Sequence, residues 1–189
     1  MIKKILEYIT NLWYAISENN NREGDIMAKL DLKLEREASD ILCANDMLKV
    51  PVDLIEIANK NNIEVYYENL PTDISGAIRY NEEKHKFQIL VEKSEPEYRQ
   101  RFTLAHELAH YFLSGKELLC NKEIHFDTKY RKEKNNEEYK ANYLAGALLM
   151  DKELVTRLYE VCTSIPTLAR TFNVSESAMT QRLITLGLI

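Results

Sequence analysis

The segment His106-Glu107-Leu108-Ala109-His110 places two histidines four residues apart, with a glutamate directly after the first. In an α-helix, residues four apart lie on one face a turn apart, so both imidazoles can reach one metal ion. Glu107 is rotated by about 100° from His106 around the helix axis. It can therefore approach a water bound to the metal rather than the metal itself. The spacing predicts a metal site with a general base beside it.

A third ligand must come from elsewhere in the chain, because catalytic zinc usually has three protein ligands and an open position for water. The residues directly after the motif, YFLSGKELLC, contain no histidine. Residues 136–150 have a helical apolar period, in which Glu138 shares a face with Ala141 and Glu137 falls outside that face. Glu138 is therefore the predicted third ligand. Asn142, one turn later, is expected to orient a zinc-bound histidine through its second ring nitrogen.

The helix that carries the motif has a recognisable beginning. Ser94-Glu95-Pro96-Glu97 combines a capping box with an early proline, and Gly115 is the expected end of the helix. The charged segment 116–136 has no sustained period and is predicted to be loop. His125 in this segment is a weaker candidate for stabilising a transition-state oxyanion, and His85 is expected in an exposed hairpin turn.

The remaining elements follow from apolar periodicity. Strands are predicted at residues 63–70, 74–80 and 86–93, which are rich in β-branched and aromatic residues and bounded by turn residues. Helices are predicted at residues 34–45, after Pro51, at 136–150 and in two or three shorter segments to the end of the chain. This order predicts an α+β fold with a small antiparallel β-sheet packed with helices.

Composition and charge exclude several classes of protein. The 189 residues are 45% hydrophobic and 29% charged, which is typical of a globular chain rather than a disordered or fibrous one. A net charge of −5 opposes nonspecific binding to nucleic acid or to an anionic membrane. No apolar run approaches 18 residues and no signal-peptide cleavage site is present, so the cytoplasm is the expected compartment and no membrane partner is expected.

The first 25 residues are predicted to be separable from the rest. Apolar residues recur at three- and four-residue steps from Ile2 to Ile16, which predicts an amphipathic helix, and the polar stretch 17–25 predicts a linker. The helix is expected to pack on its own domain. The open alternative is that the helix docks on a partner protein, or on a second copy of the chain so that the chain self-associates.

Three separated motifs, in the order in which a known family has them, give the chain a resemblance to that family. RQRFTLAHELAHYFL, followed 28 residues after His110 by the Glu138 segment EYKANYLAGALLM, is similar to the ImmA/IrrE family of metallo-endopeptidases, and the similarity covers roughly residues 34–189. The resemblance implies a zincin-like active-site helix, Zn²⁺ bound by His106, His110 and Glu138, and Glu107 as catalytic base. It also implies a protein substrate, since several members cut helix-turn-helix repressors of mobile elements or stress genes.

The chain departs from the family pattern at two positions. Asp151 stands where proline is common, and Ala109 stands where glycine is common. Neither position is a predicted ligand. With the resemblance, the predicted organisation is a helix and linker at 1–25, a zinc metallopeptidase domain at 26–151, and a C-terminal helical extension at 152–189.

The C-terminal segment LARTFNVSESAMTQRL has the spacing of a helix-turn-helix. Asn173 is expected in the left-handed turn conformation and Ser175 at the start of the second helix. Residues 152–189 carry four basic and three acidic residues, a balance of about +1, which is weak for binding phosphates. Packing or substrate docking is therefore expected of these helices, and DNA binding is not.

The predicted function is that of a soluble zinc endopeptidase that hydrolyses a protein substrate, such as a helix-turn-helix repressor. The substrate is expected to bind extended, as an added strand at an edge of the sheet. The alternative is a noncatalytic, metal-stabilised regulator that binds a repressor or DNA. Glu107 favours the enzyme, because a structural zinc site does not require a base and usually has all four positions filled by protein.

Overall fold

The computed structural model describes residues 26–121, 125–128 and 136–189, and within these the side chains of 26–114 and 136–189. The chain divides into two compact units, Met1–Leu34 and Glu35–Ile189. The predicted helix and linker at residues 1–25, and self-association through that helix, lie outside the described residues. The predicted domain boundaries, after residues 25 and 151, stay a prediction.

The described part of the chain contains helices and strands, and the strands lie in its middle. Helix α1 covers residues 26–44. It is followed by α2 (Leu54–Lys60), β1 (Ile63–Glu68), β2 (Ile74–Asn81), β3 (Lys86–Glu92), α3 (Glu97–Asn121), β4 (His125–Thr128), α4 (Asn136–Leu149), α5 (Lys152–Val161), α6 (Ile165–Phe172) and α7 (Glu176–Thr185). This order confirms the predicted α+β class. Among the described residues, every helix is too short or too polar to cross a membrane.

The four strands form one sheet in the order β1-β3-β2-β4. Strands β2 and β3 form an antiparallel hairpin, and β4 pairs antiparallel with the other side of β2. Strand β1, however, pairs with β3 in parallel. The prediction of a wholly antiparallel sheet is therefore wrong for this pair. Strand β2 lies between β1 and β3 in the chain but not in the sheet. Because β2 and β3 form a hairpin, β3 runs in the same direction as β1.

Two local predictions around α3 differ from the structure. The helix continues past Gly115 to Asn121, because one interior glycine costs a helix only about 1 kcal/mol. The segment predicted to be loop contains strand β4, which is too short to show a period of its own. His85 lies in the β2–β3 turn with a φ of 51°, as predicted for a turn residue.

The C-terminal helices α6 and α7 are joined by the predicted turn. Asn173 ends α6 in the left-handed conformation, with φ 53° and ψ 54°. Ser175 caps α7, since its side chain accepts a hydrogen bond from the backbone N–H of Ala178. Asp151, at the position where the family commonly has proline, caps α5 and accepts a hydrogen bond from Ser39. This departure therefore supplies a helix N-cap.

The core of the second unit lies where the sheet meets α3 and α4. Ile78 of β2 and Ile89 of β3 are fully buried, as are Leu108 of α3 and Leu144 of α4. Helix α3 contacts both β2 and β3, and α4 packs along α3. The side chains of one α3 face are therefore held between a sheet and a second helix, which leaves them little freedom to move.

Candidate metal centre

The histidine pair lies on the buried part of α3. His106 and His110 are 2% and 5% exposed. Their ring planes are nearly perpendicular, with centroids 4.6 Å apart, and their Nε2 atoms are 3.0 Å apart. Helical spacing explains this approach, because residues four apart lie one turn apart on the same face. Both Nε2 atoms therefore point to one place.

Helix α4 brings Glu138 to the same place. One carboxylate oxygen, Oε2, is 3.4 Å from His106 Nε2, and the other, Oε1, is 3.8 Å from His110 Nε2. Hydrogen bonding to His106, and then to His110, holds the pKa of Glu138 well below its ordinary value. Glu138 is therefore a carboxylate, which is the form that binds a cation. The structure brings together the three residues that the sequence predicts as ligands.

The three side chains fit a metal ion in their chemistry and their spacing. One ligand atom from each of His106, His110 and Glu138 lies within 4.8 Å of the others. A tetrahedral ion with bonds of about 2.0–2.1 Å would hold its ligand atoms about 3.3 Å apart. The two Nε2 atoms are 3.0 Å apart and lie 3.4 and 3.8 Å from different carboxylate oxygens of Glu138, which are distances around this value. This group can therefore hold a metal ion, and two imidazoles with one carboxylate form a donor set typical of catalytic zinc.

Glu107 is also buried, at 1% exposure. It faces strand β2 at Gly76, where a Cβ atom would lie 3.3 Å from Glu107 Oε1 and would overlap the methyl carbon of Thr103. Thr103 precedes Glu107 by one turn of α3. The absence of a side chain at Gly76 therefore lets α3 approach β2 closely at the carboxylate of Glu107.

Two details of the site go beyond the sequence prediction or differ from it, and a third stays untested. Asn142 is exposed and forms no hydrogen bond with His106, whose buried Nδ1 has no hydrogen-bond partner among the described residues. Asn142 therefore does not orient that ring as predicted. The side chain of His125 lies outside the described part of the chain. Gly76 was not identified from the sequence, although a glycine inside a strand pattern is a signal of close backbone approach.

Comparisons with known proteins found one matching family and a solved structure with a similar fold. The model of the IrrE N-terminal-like domain, named Peptidase_M78, matches residues 58–184. A solved structure described as a Mycobacterium tuberculosis transcriptional regulator matches with 20% sequence identity and a TM-score of 0.52. The match covers 82% of this chain and 46% of that one, so this chain spans less than half the length of the regulator. This likeness shows a shared fold alone.

No curated protein matches the sequence. The family match spans the motif on α3, the Glu138 segment on α4 and nearly all of α7. It confirms the resemblance that these segments indicate in the sequence. Since the family model covers more than half of the chain, the protein belongs to the Peptidase_M78 family of IrrE N-terminal-like domains.

Proposed function

We propose that the protein is a zinc-dependent endopeptidase that acts in the cytoplasm on a protein substrate, such as a helix-turn-helix repressor. The observation that carries this proposal is the convergence of His106, His110 and Glu138 beside a buried Glu107. Membership of a peptidase family supports it. The proposal assigns residues 26–151 to catalysis and residues 152–189 to a helical extension of the same enzyme.

The proposed roles follow from the chemistry of the side chains. When bound by His106, His110 and Glu138, zinc supplies a Lewis acid that polarises the scissile carbonyl and lowers the pKa of water to near 7. Glu107 takes a proton from the attacking water on its carboxylate and delivers that proton to the leaving amine. The low exposure of Glu107 excludes bulk water from this proton transfer.

The substrate is proposed to bind in an extended conformation at an edge of the sheet. Among the described strands, β4 is at one edge of the sheet, with β2 between it and β3. Helix α3, which carries the metal-binding histidines, contacts both β2 and β4. A peptide that pairs with the outer edge of β4 would use main-chain hydrogen bonds, which are independent of sequence. We propose this edge as the backbone-binding part of the site.

The decisive experiment compares the wild type with Glu107→Gln. Both proteins are loaded with zinc and incubated with a peptide library, and cleavage is followed by mass spectrometry. The substitution keeps the shape of the side chain but removes its basicity, so zinc content and melting temperature should be unchanged. Hydrolysis should fall by about 10²–10⁴-fold. Equal rates for the two proteins would disprove the role of Glu107.

The same comparison decides the noncatalytic alternative. A metal-stabilised regulator would bind a helix-turn-helix repressor equally well with either side chain at position 107 and would leave it intact. Incubation with a purified helix-turn-helix repressor, analysed on denaturing gels, shows whether the repressor is cut. If the wild type cleaves library peptides but leaves the repressor intact, the endopeptidase function stands and this repressor is excluded as its substrate.

A further inference from the structure

A cavity of about 460 Å³ lies between α3, α4 and α7. Phe102 lines it from α3, Tyr139 and Gly146 from α4, and Ala178 and Arg182 from α7. Its volume is within the range of about 300–1,000 Å³ that ligand sites typically span. The cavity is therefore large enough for the bulkiest apolar side chains, and α7 of the helix-turn-helix forms one of its walls.

The cavity adjoins the candidate metal centre. The ring of Phe102 stacks on the imidazole of His106, with centroids 6.2 Å apart and planes inclined by 28°. Tyr139, which also lines the cavity, directly follows Glu138 on α4. The cavity is therefore next to one of the proposed metal ligands, His106, through the ring of Phe102.

The charges along the cavity are balanced. Arg99 and Arg182 are the two charged residues among its described lining. Arg99 Nε is 3.7 Å from a carboxylate oxygen of Glu95, and Arg182 binds Glu35 at 2.6 Å. The largely buried carboxylate of Glu35 compensates the charge of Arg182. Aromatic rings at positions 102, 139 and 143 favour an uncharged apolar occupant.

We infer that this cavity binds a large apolar or aromatic side chain of the peptide substrate, next to the scissile bond. The inference rests on the proposed endopeptidase function and adds a substrate preference to it. It also gives α7 a role: the C-terminal helices complete the specificity pocket of the enzyme.

Gly146 allows a sharp test. It lies on α4 at the cavity, and a Cβ atom at this position would meet no other atom within 4 Å. Leucine is a better helix former than glycine. Gly146→Leu should therefore keep the fold and the metal while its side chain occupies the cavity. Glu160→Leu, at an exposed position on α5 outside the cavity lining, introduces the same side chain as a control.

The first measurement is binding, which needs no catalysis. N-acetyl-phenylalaninamide and N-acetyl-alaninamide are titrated into the full-length protein, and amide chemical shifts of Ala178 and Gln181 are followed. The phenylalanine compound should shift both amides, and Gly146→Leu should weaken its binding at least tenfold, whereas Glu160→Leu should not. If the phenylalanine compound leaves both amides unshifted, or binds Gly146→Leu equally well, the inference is overturned.

The second measurement is cleavage of a peptide library by the zinc-loaded protein. The wild type should cut next to Leu, Met, Phe or Tyr. Gly146→Leu should lower kcat/KM at least tenfold for peptides with these residues next to the cleaved bond. For peptides with Ala at the same position, it should lower kcat/KM less than threefold. Cleavage without such a preference overturns the pocket and leaves the endopeptidase intact. Binding of the phenylalanine compound without any cleavage overturns the proposed function, and with it the assignment of the cavity to a substrate.

Discussion

Arg182 on α7 binds both carboxylate oxygens of Glu35 on α1, with N–O distances of 2.6 and 2.9 Å across 147 positions of sequence. The Nε of Arg182 donates to the carbonyl of Met150, and the hydroxyl of Tyr143 donates to Glu35. Both charged side chains are largely buried. This ion pair therefore fastens α7 to α1 and to the end of α4, beside the cavity.

Loss of this pair should strongly destabilise the protein. Glu35→Ala leaves a guanidinium buried without its carboxylate, which typically costs about 3–5 kcal/mol. The free energy of unfolding from urea denaturation measures the effect. Glu153→Ala is the control, because it breaks an exposed pair with Arg157 that is worth at most about 1 kcal/mol. Equal effects of the two substitutions would show that Arg182 is held by other contacts.

Specific DNA binding should be absent or weak at physiological salt. Of the four basic residues of the C-terminal segment, Arg182 is buried against Glu35, so Lys152, Arg157 and Arg170 remain for phosphate contacts. Few phosphate contacts give low affinity and a shallow dependence on salt. Fluorescence anisotropy with labelled duplexes at several salt concentrations tests this. Submicromolar binding with a steep salt dependence would favour the regulator instead of the enzyme.

Metal content should depend on each of the three proposed ligands. The purified protein should contain about one zinc ion per chain, and His106→Ala, His110→Ala and Glu138→Ala should each lower this content, because two ligands make an incomplete site. Elemental analysis after dialysis provides the measurement. Glu137→Ala removes the exposed carboxylate that directly precedes Glu138, and this variant should keep the zinc. Full retention by Glu138→Ala would place the third ligand elsewhere.

Substitution of Gly76 should disturb the contact between β2 and α3. Gly76→Ala places a methyl group against the methyl of Thr103 and close to Glu107, and such overpacking typically costs about 1–3 kcal/mol. Thr103→Ser removes the overlapping methyl, so the double variant should be less destabilised than the sum of the single changes. Urea denaturation of all three variants measures this coupling, and strict additivity would contradict it.

Gly146→Ala is the matched control for Gly76→Ala. An added Cβ at Gly146 meets no neighbour, and alanine is favoured over glycine inside a helix by about 1 kcal/mol. This substitution should therefore stabilise the protein slightly. The same chemical change is expected to have opposite signs at the two positions.

Glu64 should remain ionised into acid. Hydrogen bonds from Tyr66 and then Gln88, with Lys84 beside them, lower the pKa of its carboxyl from 4.5 to about 2. Because the pKa of this carboxyl is lower in the folded protein, its ionised form stabilises the fold at pH values above 4.5. This stabilisation is lost as the pH falls from 4.5 toward 2. Tyr66→Phe removes the largest cause, so the Glu64 titration followed by NMR should move to higher pH. An unchanged titration would assign the shift to the other partners.

Local patterns were sufficient for most of the secondary structure and for the proposed ligands. Helical spacing places His106 and His110 on one face, and the period of α4 distinguishes Glu138 from Glu137. The turn at Asn173 and the cap at Ser175 were likewise predictable, because each depends on the conformational preference of one residue and its immediate neighbours. Asn142 illustrates the limit: it lies on α4 as predicted, but its side chain is exposed rather than facing the core, and the predicted hydrogen bond depends on that orientation.

Local sequence patterns identify the residues able to bind a metal, because spacing along each helix sets which side chains share a face. Their surroundings follow from packing between distant segments: the parallel pairing of β1 with β3, the close approach of Gly76 to Thr103, and the cavity completed by α7. These features join segments far apart in the chain. They depend on how side chains of different elements pack in three dimensions, and no local pattern records that packing.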